Sequence, residues 1–348
     1  MSIRFDILGK PGEDNALWLH LDTGQSTHQL LFDCGEACLM DKRISDIRAI
    51  EHLCFSHFHM DHVAGFDSFI RHTFNQGVNL GNEANAAVRV WGPRGTHDVV
   101  QHRLQGFTWN LVEAETGQWE ITEIDSEGLH KIRLQTRDGF STRSPRSSSP
   151  AASVIVKNKS YHIEAIRLPH GNIESIGYKV QEVSKRNVNL DKLDALKLQT
   201  GPWLGIVTGS NVPDDESIEI DGAHHRLGDL RETLVTETQG DSLAYLTDFN
   251  LDDSAQREAV IDWLAGTHTL ICEAQYLEKD ADLATQHGHM TTKKVGALAR
   301  DAQVDRLVLQ HISRRYNEVE WAEMLQEAQA EFPDTCFPYP DWICQSDS

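Results

Sequence analysis

The segment His57-Phe58-His59-Met60-Asp61-His62 places three imidazoles and a carboxylate within six consecutive positions. Imidazole and carboxylate are the donors that divalent cations take where no thiolate is offered, and no cysteine stands in this segment. Alternate side chains of an extended stretch share a side, so His57 and His59 point one way. Asp61 and His62, at the start of a helix, face a second point. The spacing therefore suits two divalent metal ions, with Zn²⁺ expected first and Mn²⁺ or Fe²⁺ as substitutes. Histidine is abundant, 18 in 348 residues, so it is density and not number that singles out this segment. His52, His72, His97, His102, His130, His162, His224, His225, His268 and His287 fall in no ligand pattern and are assigned no chemistry. Adjacent His224 and His225 read as a solvated surface pair.

Such a cluster needs an element to deliver it and another to carry the chain away. Leu53 to Ser56 reads as a buried strand, and Val63, Phe66, Phe69 and Ile70 predict a helix from Asp61 to about Phe74. Upstream, the runs ILG, ALWLHLD and QLLFDCG predict antiparallel strands of a half-buried sheet. From Leu243 onward strands and helices alternate: LAYLTDFN ending at Asp248, REAVIDWLAG as a helix, TLICEAQY as a strand, TTKKVGALARDAQ as a helix, and RLVLQHIS ending at His311. Between these halves residues 184–240 turn polar. There LDKLDALKL reads as a short helix, and GPWLG and VPDDESIEIDG as turns, so this stretch is expected to be an arm or insertion within one domain spanning 1–348. STRSPRSSSPAAS, residues 141–153, cannot build a core and is expected to be a flexible surface loop.

Composition bounds the partners. With 32 Lys+Arg against 53 Asp+Glu the net charge is −21, so the surface as a whole repels phosphate backbones and anionic lipid. Any nucleic-acid contact must be local. Hydrophobic residues at 39% are enough for a core and exclude a wholly disordered chain. The opening MSIRFDILGKPGEDNALWLH lacks a signal-peptide core, and no run approaches the roughly 20 apolar residues of a spanning helix. A cytoplasmic protein without membrane contact is expected. Six scattered cysteines, with no paired CxxC ribbon, read as reduced and mostly buried.

The HxHxDH segment after a strand resembles the signature of the metallo-β-lactamase superfamily. More specifically, FDCGEACL, SHFHMDHVAGF, LPHGNIESIGYKV, the GP turn of LQTGPWLG, CEAQ, GHMTTKKVGALA and LQHISRRY resemble, along nearly the whole chain, the motif series of the ribonuclease Z family, endonucleases that mature the 3′ ends of transfer RNA precursors. The resemblance implies an α/β fold, a metallo-β-lactamase-type αββα four-layer sandwich with a projecting arm. It implies that His57, His59 and His170 hold one metal, Asp61, His62 and His311 the other, and that Asp248 bridges them. It also implies that His289, oriented by Glu273, protonates the departing oxygen, and that Asp61 acts either as ligand or as the group positioning the nucleophile. Arg314, Arg315 and Tyr316 stand either against phosphate or in a salt-bridged turn. The implied substrate is a tRNA precursor and the implied assembly a homodimer, with a smaller phosphodiester as the alternative substrate. The competing expectation is a small-molecule hydrolase on the same scaffold, acting on cyclic nucleotides, lactones or aryl sulfates.

Several positions depart from the family pattern. The N-terminal PxKxRN loop reads Pro11-Gly12-Glu13-Asp14-Asn15, acidic where the family is basic. The arm after its GP turn is uncharged and then acidic, with Asp214, Asp215 and Glu216. The His-Glu-Ala-Thr stretch reads CEAQ, and the bridging aspartate sits in TDF.

Overall fold

The computed structural model describes residues 2–24, 26–74, 87–110, 117–141, 143, 147–150, 153–209 and 211–338. The chain divides into two compact units, one formed by Met1–Asn158, His162–Val180 and Ser242–Ser348, the other by Lys159–Tyr161 and Gln181–Asp241.

The first unit contains two mixed sheets. Eight strands, in chain order from Ile3–Leu8 to Ser147–Ser149, form one of them. Its first three strands run antiparallel, as their alternation predicts. From Thr27–Phe32 through Ile50–Cys54 and Val88–Pro93 to Gln118–Ile124 the pairing is parallel. Parallel neighbours require crossovers, and the helices Phe66–Thr73 and Thr96–Gln105 supply two of them. These helices cover one face: Phe66, Phe69, Val100 and Leu104 pack with Leu53, Val90 and Trp119 in a single buried cluster. Truncating one of these aromatic side chains would cost about 3–5 kcal/mol.

The second sheet has seven strands, ordered Thr335–Cys336, Arg306–Gln310, Thr269–Glu273, Ser242–Leu246, Ile173–Glu182, Tyr161–His170 and Val154–Lys157. It faces the first. Phe32 lies against Tyr178 and Tyr245 with ring centroids 5.5 and 5.9 Å apart, and the Tyr178 hydroxyl donates to the Phe55 carbonyl at 2.7 Å.

The helix expected from Asp61 to Phe74 is interrupted, as Met60–Val63 and then Phe66–Thr73. The break is tertiary in origin. The Gly65 amide donates to the Cys34 carbonyl, and a Cβ on Gly65 would lie 2.1 Å from the Gly35 carbonyl oxygen. This close approach of two backbones clamps the histidine turn to the end of the Thr27–Phe32 strand.

The second unit has its own core of Leu193, Val207, Ile220, Leu227, Leu230 and Leu234. The short helix Leu190–Ala195 falls where LDKLDALKL predicts one. GPWLG, expected as a turn, instead opens the helix Trp203–Thr208: Pro202 takes helical dihedrals at its start, where a missing N–H is no loss, and Trp203 packs on the core. Likewise Ser217–Ile220, expected within a turn, pairs with Ala223–Arg226 in a hairpin closed by Asp221 and Gly222 at positive φ. Arg231 ties the unit together, its buried guanidinium donating to the carbonyls of Ile206, Val207, Gly209 and Val212 and to Asp214.

Within the Ser/Pro stretch, Ser147–Ser149 pairs with residues 129–131; residues 142, 144–146 and 151–152 lie outside the described residues. The described cysteines are free, and Cys344 lies outside them. Among the described residues no helix is long and apolar enough to cross a membrane.

Candidate metal centre

His57 follows the strand Ile50–Cys54 by three residues, and His59 stands at the N-terminus of the helix Met60–Val63. That turn puts the His57 ring 4.5 Å from His59 and 4.4 Å from His62, centroid to centroid. The second sheet delivers the rest. His170 ends the strand Tyr161–His170, while Asp248 and His311 follow the strands Ser242–Leu246 and Arg306–Gln310. Asp248 and His311 adopt left-handed backbone, φ 54° and 53°, and so does Asp33 after its strand, φ 58°. Such dihedrals cost a residue with a Cβ about 1–3 kcal/mol and are held only by their surroundings.

The donor atoms fall into two groups. Those of His57, His59, His170 and Asp248 lie within 4.8 Å of one another, and so do those of Asp61, His62 and His311. Asp248 spans both: its Oδ1 is 3.9 Å from His57 Nε2 and from His170 Nε2, and its Oδ2 is 3.1 Å from His62 Nε2 and 3.5 Å from His311 Nε2. A third combination, Asp248, His289 and His311, is equally compact.

Whether these residues fit metal ions is tested by the far side of each ring. His57 Nδ1 lies 3.0 Å from Ser56 Oγ, whose hydroxyl donates to Asp33, so the ring proton sits on Nδ1. His57 Nε2 is then a lone pair, buried and without a hydrogen-bond partner among the described residues. His62 Nδ1 is 2.8 Å from Asp33 Oδ2, His170 Nδ1 is 2.9 Å from the Gly288 carbonyl, and His311 Nδ1 is 3.1 Å from the Gln275 amide. The acceptors behind His62 and His170 fix tautomer and orientation for ligation by Nε2, while the Gln275 amide holds the His311 ring in place. His59 differs, turning its Nδ1 inward to 3.4 Å from His170 Nε2. An orphaned inward nitrogen among oriented nitrogen and oxygen donors fits divalent cations.

Beside the clusters, His289 Nδ1 is 2.9 Å from Glu273 Oε2, and the other oxygen of this wholly buried carboxylate accepts the Phe249 amide at 2.6 Å. Burial alone would depress the His289 pKa, but the neighbouring Glu273 and Asp248 carboxylates overcome it and push it up to about 9. The Asp61 side chain is 38% exposed. Its burial would raise the carboxyl pKa, yet hydrogen bonds with His311 and His62 hold it well below the usual carboxylate range.

Arg314 donates to the Gly12 carbonyl and lies 3.7 Å from Asp14, and the Tyr316 hydroxyl donates to Asp280, which also lies 4.0 Å from Arg315. These three side chains therefore stand in a bonded turn. The acidic loop is fastened to the site as well, with the Asn15 amide on the Asp61 carbonyl and the Gly12 amide on that of Ile312. His52 has a structural part, since burial drives its pKa down to about 3 and its Nδ1 accepts from Trp91 Nε1. The residues missed by sequence reasoning are Asp33, Ser56 and Gln275. The FDCG and CEAQ motifs contained Asp33 and Gln275, but no local spacing marks a residue whose task is to hold a distant ring.

Two facing mixed sheets with helices outside, and a histidine- and aspartate-lined centre at their strand ends, define the metallo-β-lactamase fold. Solved structures of that fold overlay on most of the chain: the metallo-β-lactamase fold protein YhfI from Bacillus subtilis, at TM-score 0.52 and 12% identity over 96% of this chain and 94% of that one, and the human short-form tRNase Z, at TM-score 0.51 and 18% identity over 90% and 94%. No protein-family model matches the sequence. Ribonuclease Z of Deinococcus radiodurans is 39% identical over 331 residues, covering 95% of this chain and 96% of the relative. The chain belongs to the ribonuclease Z family, and membership implies divalent metal ions.

Proposed function

We propose that this protein is a metal-dependent endoribonuclease that removes 3′ trailers from tRNA precursors. The observation that carries the reading is the placement of Asp248, one carboxylate oxygen facing each histidine cluster. In this reading His57, His59 and His170 hold one cation, Asp61, His62 and His311 the other, and Asp248 is shared. Bound divalent cations make water nucleophilic near neutral pH and offset the negative charge of a phosphodiester in attack. Nitrogen and oxygen donors without thiolate favour Zn²⁺, with Mn²⁺ or Fe²⁺ able to replace it.

The chain itself supplies the proton. The Glu273 carboxylate favours the charged ring of His289 and holds its Nδ1–H, so that Nε2–H of that ring is left to donate. As the P–O3′ bond breaks, that proton passes to the departing 3′ oxygen, a general-acid contribution of roughly 10²–10⁴-fold. Asp61 lies at the open side of the centre, where it serves as ligand or as the group that positions the nucleophile. The same reading assigns the 184–240 stretch as an arm, makes the active form a homodimer, and places it in the cytoplasm.

Cleavage of a 3′-extended tRNA precursor by Zn²⁺- or Mn²⁺-loaded protein tests this, with Asp248→Ala as control. Cutting after the discriminator base by the wild type, reduced by roughly 10³-fold or more in the control, is expected from the several kcal/mol that two cations contribute. A second reading, a small-diester hydrolase, draws on acidic Glu13 and Asp14 beside the centre. It would be favoured by protein that holds two metals and hydrolyses a chromogenic diester, yet leaves the precursor uncut.

A further inference from the structure

Two grooves open from the centre, and they differ in charge. The first, about 710 Å³, is lined by the inward histidines His57 and His59 and by Arg94, Arg167, Asn172 and Glu174, among others. Glu174 is engaged with Arg167 at 2.7 Å. Arg94 is exposed and makes no ion pair or hydrogen bond among the described residues. The second groove, about 570 Å³, is lined by Glu13, Asp14, Glu36 and Asp61, with Arg314 as its cation. Arg314 is engaged by the Gly12 carbonyl and Asp14. In a chain of net charge −21, then, an uncommitted guanidinium lies in one groove while the other presents an excess of carboxylate.

The backbone beneath Arg94 is fixed. Residue 94 lies between the strand Val88–Pro93 and the helix Thr96–Gln105. Thr96 Oγ1 donates to the Pro93 carbonyl, and the amides of Gly95 and His97 both donate to Glu123 Oε1 at 3.0 Å. Gly95 takes φ 101°, a conformation open to glycine and rarely to an L side chain, and the two bonds to Glu123 hold the turn in it. A ligand meeting Arg94 orders only the side chain. A guanidinium also offers two parallel N–H groups to a phosphate, which a lysine cannot do.

We propose that Arg94 is a phosphate contact for the single-stranded RNA next to the scissile bond, and that this strand lies in the groove beside His57 and His59 and not along the Glu13–Asp14 loop. The proposal rests on the ribonuclease reading above. It also answers how so acidic a chain engages RNA, since attraction is confined to one wall of the site.

The test compares the metal-loaded wild type with Arg94→Ala, Arg94→Lys and Glu13→Gln on a 3′-extended tRNA precursor, across a series of salt concentrations. Arg94→Ala should raise KM roughly tenfold with kcat held within about twofold, the loss of one charge-assisted contact. The slope of log(kcat/KM) against log salt should become shallower by about 0.7, the value for one phosphate of a single strand. Arg94→Lys should recover part of KM and most of the slope. Glu13→Gln, a change of the same size in charge on the other side of the centre, should move KM less than about twofold. An unchanged KM and salt slope in Arg94→Ala overturns the proposal while leaving the ribonuclease reading intact. So does a KM shift of equal size and opposite sign in Glu13→Gln, which would make the effect one of overall charge. A wild type that leaves the precursor uncut overturns the reading and the proposal together.

Discussion

The two ligand clusters are built alike in donors but differently in support. In the cluster of His57, His59 and His170, the outer nitrogens of His57 and His170 rest on neutral acceptors, the Ser56 hydroxyl and the Gly288 main-chain carbonyl. In the cluster of Asp61, His62 and His311, His62 rests on the buried Asp33 carboxylate and His311 on the Gln275 amide. Asp61, meanwhile, is open to solvent on one side. A main-chain acceptor stays in place whatever residue bears it, whereas a side-chain acceptor can be changed by one mutation. The second cluster rests on side chains alone and is therefore the more adjustable one. Asp33 is where the two meet, since it binds His62 directly and His57 through Ser56, with the Tyr245 hydroxyl donating to it from the facing sheet.

Among changes expected to keep both ions bound, the largest effect falls on a residue placed in neither cluster. His289→Ala should leave two metals per chain by elemental analysis while cleavage of the precursor drops roughly 10²–10⁴-fold. Because His289 also lies within ligand distance of Asp248 and His311, the metal count carries the weight here. Loss of one ion from this variant would move His289 into the second cluster and end the division drawn above.

How far the sequence exposes this centre depends on how local each part is. The segment from His57 to His62 is legible because one turn carries it. His170, Asp248 and His311 are single residues at strand ends, indistinguishable from capped surface residues until the motif series of the family orders them. The left-handed backbone of Asp248 and His311 leaves no mark in the sequence, since glycine, the usual sign of such dihedrals, is absent at both positions. The layered α/β fold was legible from strand and helix periodicity, but the helix break at Gly65 was not, because its cause is a backbone contact with Gly35, far off in the chain. GPWLG misled in the opposite direction: Gly-Pro punctuates turns, yet proline also starts helices, and only packing of Trp203 on its core decides between them.

A smaller effect separates the clusters themselves. Gln275 Nε2 lies 3.1 Å from His311 Nδ1; a half-turn of the amide, isosteric with this one, brings its oxygen to Nδ1–H when His311 Nε2 ligates, and Gln275→Ala removes that anchor. Affinity for one of the two ions should fall about 10–100-fold, read by titration against a chelator, with the other ion unmoved. Gln275→Glu, which keeps an acceptor at the same reach, should restore it.

Ser56→Ala makes the matching cut on the other side and should be the mildest of these changes. It severs the relay from His57 to Asp33 but leaves the Asp33 bond to the Ser56 amide, at 2.7 Å, and the direct bond to His62. His170 and His59 keep their orientation, so the other ion should weaken by about tenfold, near the lower end for such outer partners. Loss of the hydroxyl leaves His57 Nδ1–H buried without an acceptor, which adds a stability loss of about 1–3 kcal/mol. The pair of variants reads the comparison from both sides. If Gln275→Ala and Ser56→Ala each weaken both ions to the same degree, Asp33 couples the clusters so tightly that they bind as one site, and the contrast between them has no energetic content.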